Sequence, residues 1–140
     1  EEKFGIDVSS LNHAGAAGGL AGGLAALGAR LIDGFELIAD ELRLDEFIEK
    51  ADLVITGEGR IDRSTFDGKV VGGVSAYASA MRKPVLAVAG HVEIEVKDRI
   101  QNISLTEEFG EHLSHTETAN CVQQSVARFL EGFKSDNKII

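Results

Sequence analysis

Thirteen consecutive residues, Gly57-Glu-Gly-Arg-Ile-Asp-Arg-Ser-Thr-Phe-Asp-Gly-Lys69, bring together the group types that phosphoryl transfer uses. Gly57 and Gly59 let a backbone approach oxyanions, and Arg60, Arg63 and Lys69 supply positive charge. Glu58, Asp62 and Asp67 can accept a proton or hold Mg2+ through oxygen. A helix beginning near Lys69 adds amide donors at its N-terminus. Two familiar nucleotide patterns do not fit. Asp62 stands where a dinucleotide fingerprint has its third glycine, while Gly68-Lys69 is followed by Val70 and preceded by Arg63, which breaks a Walker A loop. The competing reading is a solvated turn whose mixed charges pair with one another.

A second glycine-rich window runs from His13 to Leu31 and reads His-Ala-Gly-Ala-Ala-Gly-Gly-Leu-Ala-Gly-Gly-Leu-Ala-Ala-Leu-Gly-Ala-Arg-Leu. Leu20, Leu24, Leu27 and Leu31 recur at helical spacing and predict one helix face. Each glycine inside a helix costs about 1 kcal/mol relative to alanine. Gly18, Gly19, Gly22 and Gly23 therefore imply the close approach of another backbone or of a ligand, and both stay open.

The elements that must position these segments alternate along the chain. Phe35–Leu42 and Leu44–Lys50 read as short amphipathic helices after the Asp33-Gly34 break. Asp52–Thr56 is a short apolar, β-branched run, the pattern of a buried parallel strand that ends at Gly57. Ser64, Thr65 and Asp67 are candidate caps for a helix over about Lys69–Met81. Pro84–Ala89 predicts a second buried strand ending at Gly90, Ile100–Leu105 a weaker third, and Thr116–Phe133 a closing helix with Val122, Val126, Phe129 and Phe133 on one face. The order implies an α/β fold, an open and largely parallel sheet flanked by helices, with ligands beyond the carboxyl ends of the strands. A sub-boundary is expected near residue 50, between a helical, glycine-rich segment (1–50) and an α/β segment (51–140).

Composition narrows the function classes. With 140 residues, 16 of them Gly and one Pro, and ample Leu, Ile, Val and Phe, the chain holds enough apolar surface for one core. The formal charge of −9 argues against nucleic acid and anionic membranes as partners. That charge is uneven: residues 51–90 sum to +1, so a small anion can still be received there. No apolar run is long enough for a membrane span and no leader opens the sequence, which sets a cytoplasmic expectation. Cys121 is alone and forms no internal disulfide. His112 and His115 lack further ligands at a familiar spacing and read as surface residues.

Four pieces, taken together in order and spacing, resemble the C-terminal portion of the bacterial glycerate kinases of the first class: His13-Ala-Gly-Ala-Ala-Gly-Gly19, Leu27-Gly-Ala29, Ala51-Asp-Leu-Val-Ile-Thr-Gly-Glu-Gly-Arg-Ile-Asp62 and Asp67-Gly-Lys69. The match runs from about Leu11 to Gly90 and continues weakly through Leu105–Gly110. The resemblance implies phosphorylation of glycerate on its 2-hydroxyl with ATP and Mg2+. It also implies a flavodoxin-like α/β part of a two-domain enzyme more than twice this length. On that basis the chain, which begins at Glu1, is expected to be the last part of such an enzyme and inactive alone. The missing N-terminal part, or a second copy, would cover the sheet edges.

Roles implied by the resemblance follow the matching positions. Asp62 is the general base, Lys69 and Arg60 steady the transferred group and an anionic oxygen, and Glu58 is the Mg2+ ligand, with the roles of Asp62 and Glu58 exchangeable. Gly15, Gly18, Gly19, Thr56, Gly57, Gly59, Thr65, Gly68 and His13 are substrate- or nucleotide-binding positions. The sequence departs from the family at Asn12-His13, where Pro-Gly is usual, at Ser64, where Gln is usual, and at Val71, where Pro is usual; these changes bear on which acid is the substrate. A rival reading from another class is a non-catalytic module that binds a phosphorylated metabolite or nucleotide through the same loops.

Overall fold

The run that begins near Asp52 folds as strand β1, Val54–Ile61, longer than its sequence predicts. The computed structural model describes residue 5 and residues 7–137, and these divide into two compact units, 1–42 and 43–140. The second unit is an α/β layer. It runs α3 (Leu44–Lys50), β1, α4 (Val70–Ala80), β2 (Val85–Val92), β3 (Asn102–Ser104), α5 (Leu105–Thr116) and α6 (Thr118–Asn137). The first unit holds α1 (Leu20–Ala26) and α2 (Gly34–Glu41).

The sheet is parallel and open in the order β1-β2-β3, with Val54 opposite Val85, Gly57 opposite Val88 and Ala87 opposite Asn102. Its two faces carry separate cores. On the α4 face Val71 packs with Ala87, Ala89, Val92, Val96 and Ile61; on the α5/α6 face Leu86 and Val88 pack with Leu105 and Cys121. Strict alternation would send Val92 to the face of Leu86 and Val88, yet it sits with Ala87 and Ala89. The phase changes where Gly59 and Gly90 lie side by side, the one level skipped in the ladder between Glu58–Ala89 and Arg60–His91. A Cβ on Gly90 would stand 2.7 Å from the Gly59 carbonyl oxygen. Both strands therefore run on past the glycines that the sequence takes as their ends, Gly57 and Gly90, and return Ile61 and Val92 to the core.

The closing helix forms as expected, with Val122, Val126 and Phe129 against the second core and Phe129 stacked on Phe133 at 5.9 Å between centroids. Helix α5 is an addition to the sequence reading. Its acidic first turn hides the signal, and Gly110, at φ +77°, breaks its dihedrals midway.

In the first unit, α1 is shorter than the leucine spacing predicts. Ala17, Gly18 and Gly19 all take left-handed dihedrals before it, and Gly28, at φ +96°, follows it. Gly18 and Gly19 thus precede the helix and are not part of its interior. Leu20, Leu24 and Leu27 remain exposed, while Gly22 and Ala25 are buried. The close approach belongs to Gly22, whose amide donates to the Ala14 carbonyl at 3.0 Å. Helix α2 starts at Asp33, whose Oδ1 accepts from the amides of Phe35 (2.9 Å) and Glu36 (3.1 Å). No helix among the described residues is long and apolar enough to cross a membrane.

Candidate functional site

Beyond the carboxyl end of β1 the chain makes one turn of 3-10 helix, Arg63–Phe66, before α4. Asp62 caps that turn: its Oδ1 accepts from the Ser64 amide (2.8 Å) and the Ser64 hydroxyl (2.5 Å). Thr65 Oγ1 accepts from the Asp62 amide at 3.1 Å, closing a reciprocal capping box, and donates to Glu58 Oε1 at 2.5 Å. Lys69 Nζ donates to Ser64 Oγ at 2.6 Å and stands 3.8 Å from Asp62 Oδ1. Glu58, Asp62, Ser64, Thr65 and Lys69 are thus one connected polar network.

Burial supports that network at its centre. Thr65 is fully buried, and a Cβ on Gly72 of α4 would stand 2.3 Å from the Thr65 carbonyl oxygen. Helix α4 therefore rests directly on the turn. Gly68, at φ +86°, reverses the chain between Asp67 and Lys69, a conformation that favours glycine. The hydrogen bond from the Ser64 hydroxyl, followed by the Lys69 charge, holds the Asp62 carboxyl below its ordinary value.

The arginines are engaged differently. Arg60 Nη2 donates to Glu93 Oε1 at 2.5 Å, and that bond raises the arginine further above its ordinary value. Arg63 pairs with Glu95 at 2.6 Å. Both acids follow β2, so these pairs tie the two strand ends together. Arg60 is not part of the Asp62–Lys69 network.

The glycines separate in the same way. A Cβ on Gly57 would stand 2.4 Å from the Val88 carbonyl oxygen, so its close approach is to the neighbouring strand. At Gly59 a Cβ would meet nothing within 4 Å. Thr56, Gly57, Glu58 and Gly59 all line a cavity of about 580 Å3 that extends to Leu105, His115 and Val122.

In the first unit, His13 takes φ +67° and its Nε2 lies 3.9 Å from Asp33 Oδ2. Both line a cavity of about 680 Å3 with Arg30 and Glu36, and Gly15, Gly18 and Gly19 do not line it. Sequence reasoning missed Glu93, His91 and Thr106. The glycine at 90 marked that strand end, but nothing in the spacing paired Glu93 with Arg60.

The sequence model of the glycerate kinase family matches residues 1–134. The chain belongs to the glycerate kinase family. Among curated relatives of this family, a glycerate kinase of Halalkalibacterium halodurans is 50% identical over 91 residues, 64% of this chain and 24% of that protein. The glycerate 2-kinase of Escherichia coli is 46% identical over 92 residues, 65% of this chain and 24% of that protein. A glycerate kinase of Haemophilus influenzae is 43% identical over 91 residues, with 64% and 24% covered. The match to each glycerate kinase thus spans about a quarter of its length.

Proposed function

We propose that this chain is the C-terminal portion of an ATP-dependent glycerate 2-kinase, which moves the γ-phosphate of ATP to the 2-hydroxyl of glycerate. The observation that carries this reading is the Glu58–Thr65–Asp62–Ser64–Lys69 network at the carboxyl end of a parallel strand, in a chain of the glycerate kinase family.

In this reading the Asp62 carboxylate accepts the proton of the substrate hydroxyl at Oδ2, since Oδ1 already accepts from the Ser64 amide and hydroxyl. Lys69 is within reach of the same carboxylate and steadies the transferred group as its charge spreads over the equatorial oxygens. Arg60, held by Glu93, offers its remaining donors to an anionic oxygen. Thr56, Gly57 and Gly59 line a cavity of this unit and, with Gly68 and the buried Thr65, stay the positions proposed for substrate or nucleotide there; Gly15, Gly18, Gly19 and His13 are the positions proposed within the first unit.

The donor set fits Mg2+ as kinases hold it. No group of three or more His, Cys, Asp or Glu side chains converges among the described residues, so an all-protein cage is absent there. Mg2+ usually takes one or two carboxylates and fills its remaining positions with water and phosphate oxygens. Glu58, with Oε1 engaged by Thr65, has Oε2 for that purpose. When bound, the ion would neutralise charge on the transferring phosphates.

The remaining length of the relatives is expected to supply the rest of the site and to cover β1, which pairs on one side only among the described residues. The deciding experiment is a coupled assay of the full-length protein with ATP across glycerate, tartronate and related hydroxy acids. ATP-dependent phosphorylation of glycerate supports the reading, and no turnover with any of the acids sinks it. The 140 residues alone are expected to be inactive in the same assay.

A further inference from the structure

The connector from β2 to β3, residues 93–101, forms a 3-10 helix over Ile94–Arg99. Three of its residues meet the segment that carries Asp62, in the same order along both stretches of chain. Glu93 pairs with Arg60 at 2.5 Å, Glu95 pairs with Arg63 at 2.6 Å, and the Arg99 guanidinium lies 3.8 Å from the centre of the Phe66 ring. That last distance is well inside cation–π reach. The backbones touch as well, since the Glu93 amide donates to the Ile61 carbonyl at 3.0 Å.

The connector is itself held from elsewhere. Val96 is buried in the core on the α4 face, Asn102 Nδ2 of β3 donates to the carbonyls of Lys97 (2.6 Å) and Ile100 (2.7 Å), and Lys97 pairs with Glu107 of α5 at 2.5 Å. The Arg63–Phe66 turn, by contrast, is a single turn of 3-10 helix, too short a unit to hold its own geometry. Its last residue, Phe66, is half-buried against the same core as Val96 and carries Arg99 over its ring.

We infer that Arg99 is a positioning residue for the Asp62 turn, acting through the Phe66 ring, and that the anchored connector is the frame against which the turn is set. The effect on turnover rests on the kinase reading above; the placement of the turn does not. Exposed charged contacts of this kind add little to global stability. A displacement of about 1 Å at a reacting group, however, costs about 10²-fold in rate. Arg99 therefore bears on where Asp62 and Lys69 stand more than on whether the chain folds.

The test is a double-mutant cycle of Arg99→Met and Phe66→Leu in the full-length protein. It is read as kcat for glycerate phosphorylation and as the Asp62 midpoint in a carboxyl-carbon NMR titration, which needs no substrate. Arg99→Met is expected to lower kcat by about 10- to 10²-fold with KM for glycerate little changed, and to melt as the parent does. The Asp62 midpoint should move upward as its contacts to Ser64 and Lys69 slacken. In the Phe66→Leu background the same substitution should change neither reading. Coupling in either reading supports the inference, and coupling in neither overturns it. Should Phe66→Leu fail to fold, Arg99→Lys decides, because it keeps a cation for the ring. Parent-like values then support the role, and a defect equal to that of Arg99→Met overturns it. A parent that phosphorylates no hydroxy acid removes the kinase reading, and the midpoints then decide the placement of the turn by themselves.

Discussion

The hydroxyl of Thr65 donates to Glu58 Oε1 at 2.5 Å while accepting from the Asp62 amide, so one buried side chain joins the acid on β1 to the cap of the turn that follows it. A single hydroxyl thus fixes the relation between the two carboxylates assigned to metal and to proton.

Thr65→Val keeps the shape and removes both bonds. It leaves the Asp62 amide and Glu58 without their buried partner, at a cost of about 1–3 kcal/mol. Urea denaturation should show that loss, and Thr65→Ser, which keeps the hydroxyl, should recover most of it. Equal stability of Val and the parent would mean that the hydroxyl contributes nothing to folding.

The glycines give a second contrast. Alanine at Gly72 or Gly57 places a Cβ 2.3 Å or 2.4 Å from a backbone carbonyl oxygen, Thr65 and Val88 respectively, and neither oxygen belongs to a side chain that can swing away. Each should lower stability by about 1–3 kcal/mol as α4 or β2 is displaced. Gly59→Ala meets no neighbour and should change stability by less than about 0.5 kcal/mol. Thermal melts of the three variants check the ranking, and a Gly59→Ala loss as large as the other two would contradict it.

Those three positions also mark where the sequence was legible. The βαβ order, the parallel sheet and the closing helix follow from apolar period and length, which local residues set. The strand ends do not. Gly57 looks like a terminator, but it is an accommodation to the Val88 carbonyl across the sheet, and the phase change at Gly59 and Gly90 depends on two strands meeting, which no local pattern records. Helix α1 is shortened by the left-handed dihedrals of Ala17, Gly18 and Gly19, which leucine spacing does not report. The acids and bases of 58–69 were legible by type, whereas the Arg60–Glu93 pair, 33 residues apart, was not.

The acid limb of stability should report Asp62. Its carboxyl is held below its ordinary value, first by the Ser64 hydroxyl and then by Lys69, while partial burial works in the opposite direction. Because the folded value lies below the unfolded one, this contribution is fully present above the unfolded pKa and is lost as pH falls through the folded value. Ser64→Ala and Lys69→Met should each move the Asp62 titration upward, with the larger movement for Ser64→Ala. Carboxyl-carbon NMR titration reads the midpoints directly, and unmoved midpoints in both variants would remove these two residues as its cause.

Asp62 and Glu58 can be told apart by what each substitution spares. Asn caps a helical turn about as well as Asp, so Asp62→Asn should keep the Arg63–Phe66 turn, giving up only the ionised carboxylate's contribution to melting, while losing the proton acceptor. In the full-length enzyme kcat should fall by about 10²- to 10⁴-fold with KM for glycerate little changed. Glu58→Gln keeps an acceptor for Thr65 but weakens a hard-cation ligand, so its defect should shrink as Mg2+ is raised. If instead Asp62→Asn is rescued by Mg2+ and Glu58→Gln is not, the two carboxylates exchange roles. Full turnover in Asp62→Asn at ordinary Mg2+ would take Asp62 out of the chemistry and leave it as the cap of its turn.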